Sequence, residues 1–390
     1  MSKSPNCAER QNKDSRRRNL NGRERFQRTM HFQSVDRAPM IEVGCWNQAR
    51  DRWLTEGMPT GTGLEESNLT YNGNRFFGLD EQLALDLKLG IMPPFEEQLL
   101  EEDEHTRTIR DANGIVQRVM KDSSSMPRFL SYPVRSRADF EAMKARYDPT
   151  TPGRYPANWQ EIVSASKAGE RPVWGPGIGS VGFYSMMRTW MGTEAACTVF
   201  YDDPPLARAM VEFIAEYVMA ALKRALKEAT LDYFMWWEDF SYNGGPLVSP
   251  RIFQEFLMPG YRRATDLVRA QGIDVIFIDT DGDPRVLIPL LLDCGINLLY
   301  PLEQCNEGMH PKAIRREYGH DLLLWGGIDK RALTKGKREI EQELFAKLPG
   351  LLEDGGYIPQ LDHLAPPDIS YENWLYYLEL KRKLCGGHHA

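Results

Sequence analysis

From about residue 170 onward the chain alternates short apolar runs with amphipathic stretches, and no hairpin-length turn joins one apolar run to the next. Strand-like runs fall at 172–174, 233–237, 275–278, 297–300, 322–325 and 357–360. Helix-like stretches lie between them at 183–192, 250–271, 284–293, 309–318 and 337–354, and a last one covers about 370–384. A helix between two strands returns the chain to the end where the first strand began, so the strands run parallel and the helices cover the sheet. The helix opened by Asp202-Asp203-Pro204-Pro205 has an acidic cap and proline in its first turn. It then carries Leu206, Met210, Val211, Ile214, Val218, Met219 and Leu222 on one face, at the 3.6-residue period. Weaker strand candidates at 40–44 and 83–87 bring the total to about eight strand–helix units. The predicted fold class is therefore α/β, a (β/α)8 TIM barrel, with a doubly wound sheet as the alternative.

The barrel is placed at 23–385 as a single domain. Residues 1–22 are basic and polar, lack the apolar segment of a secretory signal, and are predicted to be a disordered arm. Residues 106–120 alternate around Ala112-Asn113-Gly114, the strongest short hairpin signal, and read as a surface insertion.

Sites on such sheets lie at the carboxyl ends of the strands. Those ends are mostly acidic here: Glu42, Glu238-Asp239, Asp279 and Asp281, Glu303, Asp329, and Asp362-His363. A single acid at a strand exit is usually a helix cap, but this many exits suggest a convergent cavity. In IDTDGD, residues 278–283, Asp279 and Asp281 are two apart and face the same way on an extended chain. They would repel by several kcal/mol at low dielectric unless a cation, a proton or an arginine lay between them. Asp281, Glu303 and His363 are the expected metal ligands, an oxygen-rich set with one imidazole that suits zinc, manganese or magnesium better than copper or a cluster. The alternative is an ordinary turn at 281–284 into a proline-started helix, with Asp283 as its cap.

The loop GPGIGSVG at 175–182 contains G-x-G-x-x-G, yet no strand ending in an acid follows about 20 residues on, so it does not read as a dinucleotide site. Gly177 and Gly179 are expected instead to let backbone approach a substrate, which Glu42, Trp237 and Asp279 also contact. Phe234, Trp236 and Trp237, with Trp46, Phe183, Tyr184 and Trp190, either wall a pocket for a flat ligand or pack the core. No G-x-S-x-G elbow, P-loop or H-E-x-x-H occurs, which removes the commonest hydrolase and nucleotide readings.

With a formal charge of -7 and a pI near 5.7, a nucleic-acid partner is not expected. No apolar run reaches the roughly 18–20 residues of a membrane span, and no membrane partner is expected. The cysteines at 7, 45, 197, 294, 305 and 385 form no CxxC pair, the pattern of a reducing compartment, so a cytoplasmic location is expected. The ending Cys385-Gly386-Gly387-His388-His389 has the look of a metal clip but reads as a loose terminus.

Four segments carry a family resemblance: RERFQRTMHFQSVDRAP at 23–39, WWEDFSYNGGPLVSPRIFQEFLMPGYRR at 236–263, DTDGDPRVLIPLLLDCGINLLYPLEQ at 279–304, and GGYIPQLDHLAPPDISYENWLYYLELKR at 355–382. The chain resembles the uroporphyrinogen decarboxylase superfamily over most of 23–384. That resemblance implies a single-domain (β/α)8 barrel, commonly dimeric, and one of two chemistries, decarboxylation of uroporphyrinogen or corrinoid-linked methyl transfer. Two departures narrow the choice. Where the true decarboxylases carry an arginine-rich loop, this chain has MIEVGCWNQARDRW with Glu42, and an octacarboxylate needs cations. Where the coenzyme M methyltransferases carry a zinc-binding H-x-C, it has Asp279-Thr280-Asp281, with His363 near the last strand.

The resemblance thus implies a methyltransferase-like enzyme of one-carbon metabolism acting on a small molecule. Its expected cofactors are a divalent metal, zinc first, and a corrinoid brought by a partner protein; a homodimer is expected. Glu238 and Asp239 would position substrate, and His363 or Glu238 would move the proton. The alternatives are a decarboxylase of a tetrapyrrole or small acid and a non-catalytic barrel that binds a corrinoid or tetrapyrrole.

Overall fold

In the computed structural model, which describes residues 19–61, 74–122, 126–177 and 181–386, seven strands form one parallel sheet. They are β1 (Leu83–Ala84), β2 (Val173–Gly175), β3 (Tyr233–Trp237), β4 (Val275–Asp279), β5 (Leu298–Tyr300), β6 (Leu323–Ile328) and β7 (Tyr357–Leu361). Their order in the sheet is their order in the chain. Every strand expected from 172 onward is present, with β6 running on to Ile328. The connecting helices include Phe183–Met191, Pro204–Glu228, Met258–Arg269, Pro311–Tyr318 and Lys337–Asp354, with Tyr371–Leu384 after β7. Asp203 caps Pro204–Glu228 by accepting from the Leu206 N–H at 2.9 Å. The helix expected over 250–271 is broken by a π-turn at Phe253–Leu257, because Pro259 has no N–H to donate to the preceding turn.

Side chains on a strand alternate between faces, and here the two faces feed two separate cores. On β3, Phe234 and Trp236 pack outward against the helices; on β4, Ile276 and Ile278 do the same. Tyr233 and Met235, Val275 and Phe277, and Leu323 and Trp325 turn inward, joining Ile41, Trp174, Leu298, Tyr300 and Ile358 in a second cluster. That inner cluster draws on β2 through β7 and forms the floor of the site.

The first expected strand, 40–44, does not form a ladder. Just beyond it, Cys45 makes an isolated parallel bridge with Ala365, and carboxylates take part of the bonding that a ladder would have made. Asp80 accepts from the Met40 N–H at 2.8 Å and Glu42 accepts from the Leu361 N–H at 3.2 Å. Where a carbonyl would have continued the sheet from β7, a buried carboxylate does so instead. The strand expected over 83–87 is also short: Leu85 and Leu87 still donate to Trp174 and Pro176, but Asp86 lies in the left-handed region (φ 53°) and regular pairing stops.

The expected hairpin pairs Thr106–Arg110 with Val116–Met120 and belongs to a four-stranded antiparallel sheet with Gln98–Glu102 and Arg128–Ser131. This sheet stands between β1 and β2 in the chain. Residues 1–18, which make up most of the expected N-terminal arm, lie outside the described residues, as do Gly179 and 387–390. Asn21 caps the helix Gly22–Met30 in a reciprocal box with Glu24. Among the described residues no helix is long and apolar enough to cross a membrane.

Candidate functional site

The inner face opens at the carboxyl ends of the strands into a cavity of about 210 Å³. Its walls are largely aromatic: Trp174, Tyr233, Trp237, Phe277, Tyr300 and Trp325. The rings hold one another, Phe277 stacking on Tyr300 (centroids 5.0 Å apart) and meeting Trp325 edge-on at 5.5 Å. Gln360 fixes the floor, accepting from Trp325 Nε1 at 2.9 Å and donating to the Tyr300 hydroxyl at 3.1 Å. Of the other rings singled out in the sequence, Trp46 stacks on His363, while Phe183, Tyr184, Trp190, Phe234 and Trp236 belong to the outer core.

Six of the expected site residues meet here: Glu42, Trp237, Asp239, Asp279, Asp281 and His363 all line the cavity. Asp279 ends β4 in register with Trp237 on β3 and Tyr300 on β5, so its carboxylate projects between two aromatic side chains. Among the described residues it has no hydrogen-bond or ion-pair partner. Burial raises its pKa well above the ordinary carboxyl value, and Asp281 and Asp239 push it the same way. Asp281 is also raised, by burial first; His363 and Lys330 pull the other way, while Glu303 and Asp239 add to the rise. His363 Nε2 lies 3.9 Å from Asp281 Oδ2, with the ring held against Trp46 at 5.7 Å. Asp239 is ion-paired to Arg188, which sequence spacing gave no means of finding.

The Glu42 carboxylate and the remaining expected residues are engaged away from the cavity. Glu42 contributes to the wall, but its carboxylate accepts from Tyr377 and Lys381, both at 2.6 Å, on the helix Tyr371–Leu384. Glu238 follows the outward parity of Trp236 and is not brought to the cavity. It is wholly buried at the start of the helix Phe183–Met191, accepting from the Tyr184 N–H at 3.1 Å, the Ser185 N–H at 2.9 Å and the Tyr261 hydroxyl. This places it as a helix anchor, away from the position expected of a proton donor to substrate. Gly177 is buried outside the cavity lining. Asp283 caps the next turn as the alternative reading had it, accepting from the Arg285 N–H at 3.2 Å and pairing with the Arg285 guanidinium.

The three expected metal ligands do not converge. Glu303 is turned away, accepting from the Gly282 N–H at 2.9 Å and from Lys330 Nζ at 3.3 Å, which leaves Asp281 and His363 as a pair. Among the described residues no three His, Cys, Asp or Glu side chains form a metal-holding group. As arranged, these residues do not fit a three-ligand divalent site.

The Glu238 anchor has a pH signature. Burial pushes its carboxyl from the ordinary 4.5 up to about 7, against the opposing hydrogen bonds from Tyr261, Ser185 and Tyr184. A raised carboxyl binds its proton more tightly in the folded state, so its contribution to stability is full below 4.5 and is lost as the pH rises to about 7. The loss is on the order of 3 kcal/mol at 1.36 kcal/mol per unit. Glu238→Gln keeps the acceptor and removes the titration. In urea denaturation between pH 5 and 8 the wild type should lose stability relative to the variant by about that amount. Parallel stability profiles for the two proteins would refute this role.

The family model for uroporphyrinogen decarboxylase matches residues 109–384. The chain belongs to the uroporphyrinogen decarboxylase family. Within that family it is similar to the uroporphyrinogen decarboxylase of Serratia proteamaculans (strain 568), at 25% identity over 294 residues, 72% of this chain and 77% of the relative. Among solved structures it is similar to a methyltransferase from Methanosarcina mazei, with a TM-score of 0.57 and 16% identity over 93% of this chain and 98% of that one. At that identity the likeness speaks for the shared uroporphyrinogen decarboxylase fold. The chemistry must be read from the cavity.

Proposed function

We propose that the protein is an enzyme that removes a methyl group from a small substrate held in this cavity and passes it to a corrinoid carried by a separate protein. The segment 40–45 is read as occupying the eighth position of a (β/α)8 barrel whose mouth is the cavity. The observation that carries the functional reading is the charge of the cavity. Among the described residues its unpaired group is the Asp279 carboxyl, and the nearby cations are committed: Arg188 to Asp239, Lys330 to Glu303, and Lys381 to Glu42. Eight substrate carboxylates would find no uncommitted arginine or lysine among the described residues of the lining, which argues against uroporphyrinogen as substrate. The corrinoid supplies the nucleophile that accepts the methyl group. A corrin ring is too large for a cavity of about 210 Å³ and would be met at the mouth.

The chain's own residues bind and orient. The aromatic walls exclude water and Asp279 fixes the substrate's polar end. Asp281 and His363, 3.9 Å apart, hold a proton for the atom the methyl leaves, which keeps the bonding electron pair. No step passes through a metal, because the expected ligands are divided between Asp281–His363 and Glu303–Lys330.

The test is to incubate the purified protein without oxygen with free cob(I)alamin and a panel of methylated amines, ethers and thioethers, following cob(I)alamin absorbance. Carbon dioxide release from uroporphyrinogen and from small carboxylic acids is measured in parallel. Consumption of cob(I)alamin with at least one donor, and no carbon dioxide release, is expected. Asp279→Ala should lower kcat/KM by about 10²–10³, the loss typical of one electrostatic contact. Release of carbon dioxide without methyl transfer would overturn the reading in favour of a decarboxylase.

A further inference from the structure

A small neutral methyl donor would leave one feature of the cavity unexplained. Asp279 presents a carboxylate without a partner to a space walled by rings, with Trp237 and Tyr300 beside it in register. Such a group is costly to leave ionised and alone, because burial among aromatic walls penalises its charge and no side-chain donor among the described residues bonds to it. Its neighbours Asp239 and Asp281 are also acids; Arg188 and Lys330 are paired to Asp239 and Glu303, and His363 lies against Asp281.

We propose that the cavity is a receptor for a small organic cation bearing an alkylated ammonium centre, seated against the Asp279 carboxylate and the faces of Trp237 and Tyr300. This deepens the proposed function by naming the substrate class, and it rests on reading the cavity as the methyl-donor pocket. Two independent features support it. Burial and the neighbouring acids favour a proton on Asp279 in the empty cavity, a proton that an entering cation can replace, and the aromatic faces, with their negative quadrupole, favour a cation whose shell is alkyl. A bare metal ion needs converging oxygen or nitrogen ligands, and Glu303 is withdrawn from the set that would have supplied them. A methylated ammonium sheds little water on entering and needs a charge and a cage, both of which the cavity has. In the methyl-transfer reaction the carbon–nitrogen bond would break with its electron pair left on nitrogen. From such a donor no proton from Asp281 or His363 is needed: the product would be a neutral amine, and the methyl group would go to the nucleophile outside. Loss of the positive charge would weaken the hold of Asp279 and the rings, favouring product release.

Binding alone tests this, with no turnover required. Tetramethylammonium, neutral tert-butyl alcohol and anionic pivalate have similar alkyl shells and differ in charge. Each is titrated into the wild-type protein at constant ionic strength, with calorimetry and tryptophan fluorescence as readouts. Tetramethylammonium should bind at least about tenfold more tightly than tert-butyl alcohol, and pivalate least of all. Asp279→Asn, which keeps the shape of the side chain, should reduce tetramethylammonium affinity about tenfold or more while the protein still unfolds cooperatively in urea at a midpoint no lower than wild type. Trp237→Leu should weaken the cation more than the alcohol. Equal affinity for cation and alcohol, a preference for pivalate, or unchanged cation binding in Asp279→Asn would each overturn the inference. Methyl transfer from neutral ethers without cation preference would overturn this inference alone. Cation binding accompanied by carbon dioxide release would instead overturn the proposed function.

Discussion

Replacing Lys381 with methionine is expected to destabilise the protein by about 3–5 kcal/mol, the cost of leaving a buried charge without its partner. Lys381 and Glu42 are both buried, with side-chain exposures of 0% and 1%, and their 2.6 Å contact ties the helix Tyr371–Leu384 to the segment that flanks β7. Lys381 also donates to the Ile41 carbonyl at 2.9 Å, so methionine forfeits that bond too. Glu42 would keep the Tyr377 hydroxyl and the Leu361 N–H, which is not enough to hold an ionised carboxylate away from water. The double variant Glu42→Gln/Lys381→Met should recover more than half of the loss, because it removes the stranded charge. Lys383→Met, whose pair with Glu379 is exposed, should change stability by less than about 0.5 kcal/mol. Urea denaturation of the four proteins decides the matter, and a cost below about 1 kcal/mol for Lys381→Met would refute the structural role.

Gly182→Ala is expected to cost about 3 kcal/mol and to spoil the cavity. The backbone there is extended (φ -170°), so alanine meets no conformational penalty and space is the sole constraint. A methyl group at Gly182 would collide with the Trp237 carbonyl oxygen and lie 2.8 Å from the Glu238 carboxyl carbon. Those are backbone and buried side chain, with nowhere to retreat, so the end of β3 must move. That displacement would shift Trp237 in the cavity wall and loosen the Glu238 anchor together. Gly90→Ala, where a methyl group meets nothing within 4 Å, is the control and should be nearly neutral. If Gly182→Ala unfolds at the same urea concentration as Gly90→Ala, the close packing of β3 on residue 182 is not what the structure implies.

These two residues also mark where the sequence was and was not legible. The strand–helix alternation set the parallel sheet correctly because the strands from 172 onward are short, largely apolar runs separated by amphipathic helices. The segment 40–44 looked like a strand for the same reason, but the Asp80 carboxylate takes the Met40 N–H and the Glu42 carboxylate takes the Leu361 N–H of β7, which no hydropathy pattern records. At the site, parity was the available and unused signal. Glu238 and Asp239 are neighbours on an extended chain and cannot both face the cavity, and Trp236, in the outer core, already fixes which one turns away. The same rule, applied correctly to Asp279 and Asp281, brought both to the cavity. Arg188 and Lys330 were missed because their ion pairs join elements far apart in the chain. Those pairs hold Asp239 in place and draw Glu303 out of the expected metal set.

The antiparallel sheet at 98–131 has a kinetic consequence. Each of its strands pairs with its immediate neighbour in the chain, so its register can be found by closing short loops, on the microsecond scale of hairpins. The parallel sheet has no such local route. Its neighbouring strands are separated by whole helices, and the Glu42 lock must span 339 residues to reach Lys381. The insertion between β1 and β2 can thus be ordered early and bring those two strand segments closer than a free chain would, shortening the first and longest of the crossovers that the parallel sheet must close.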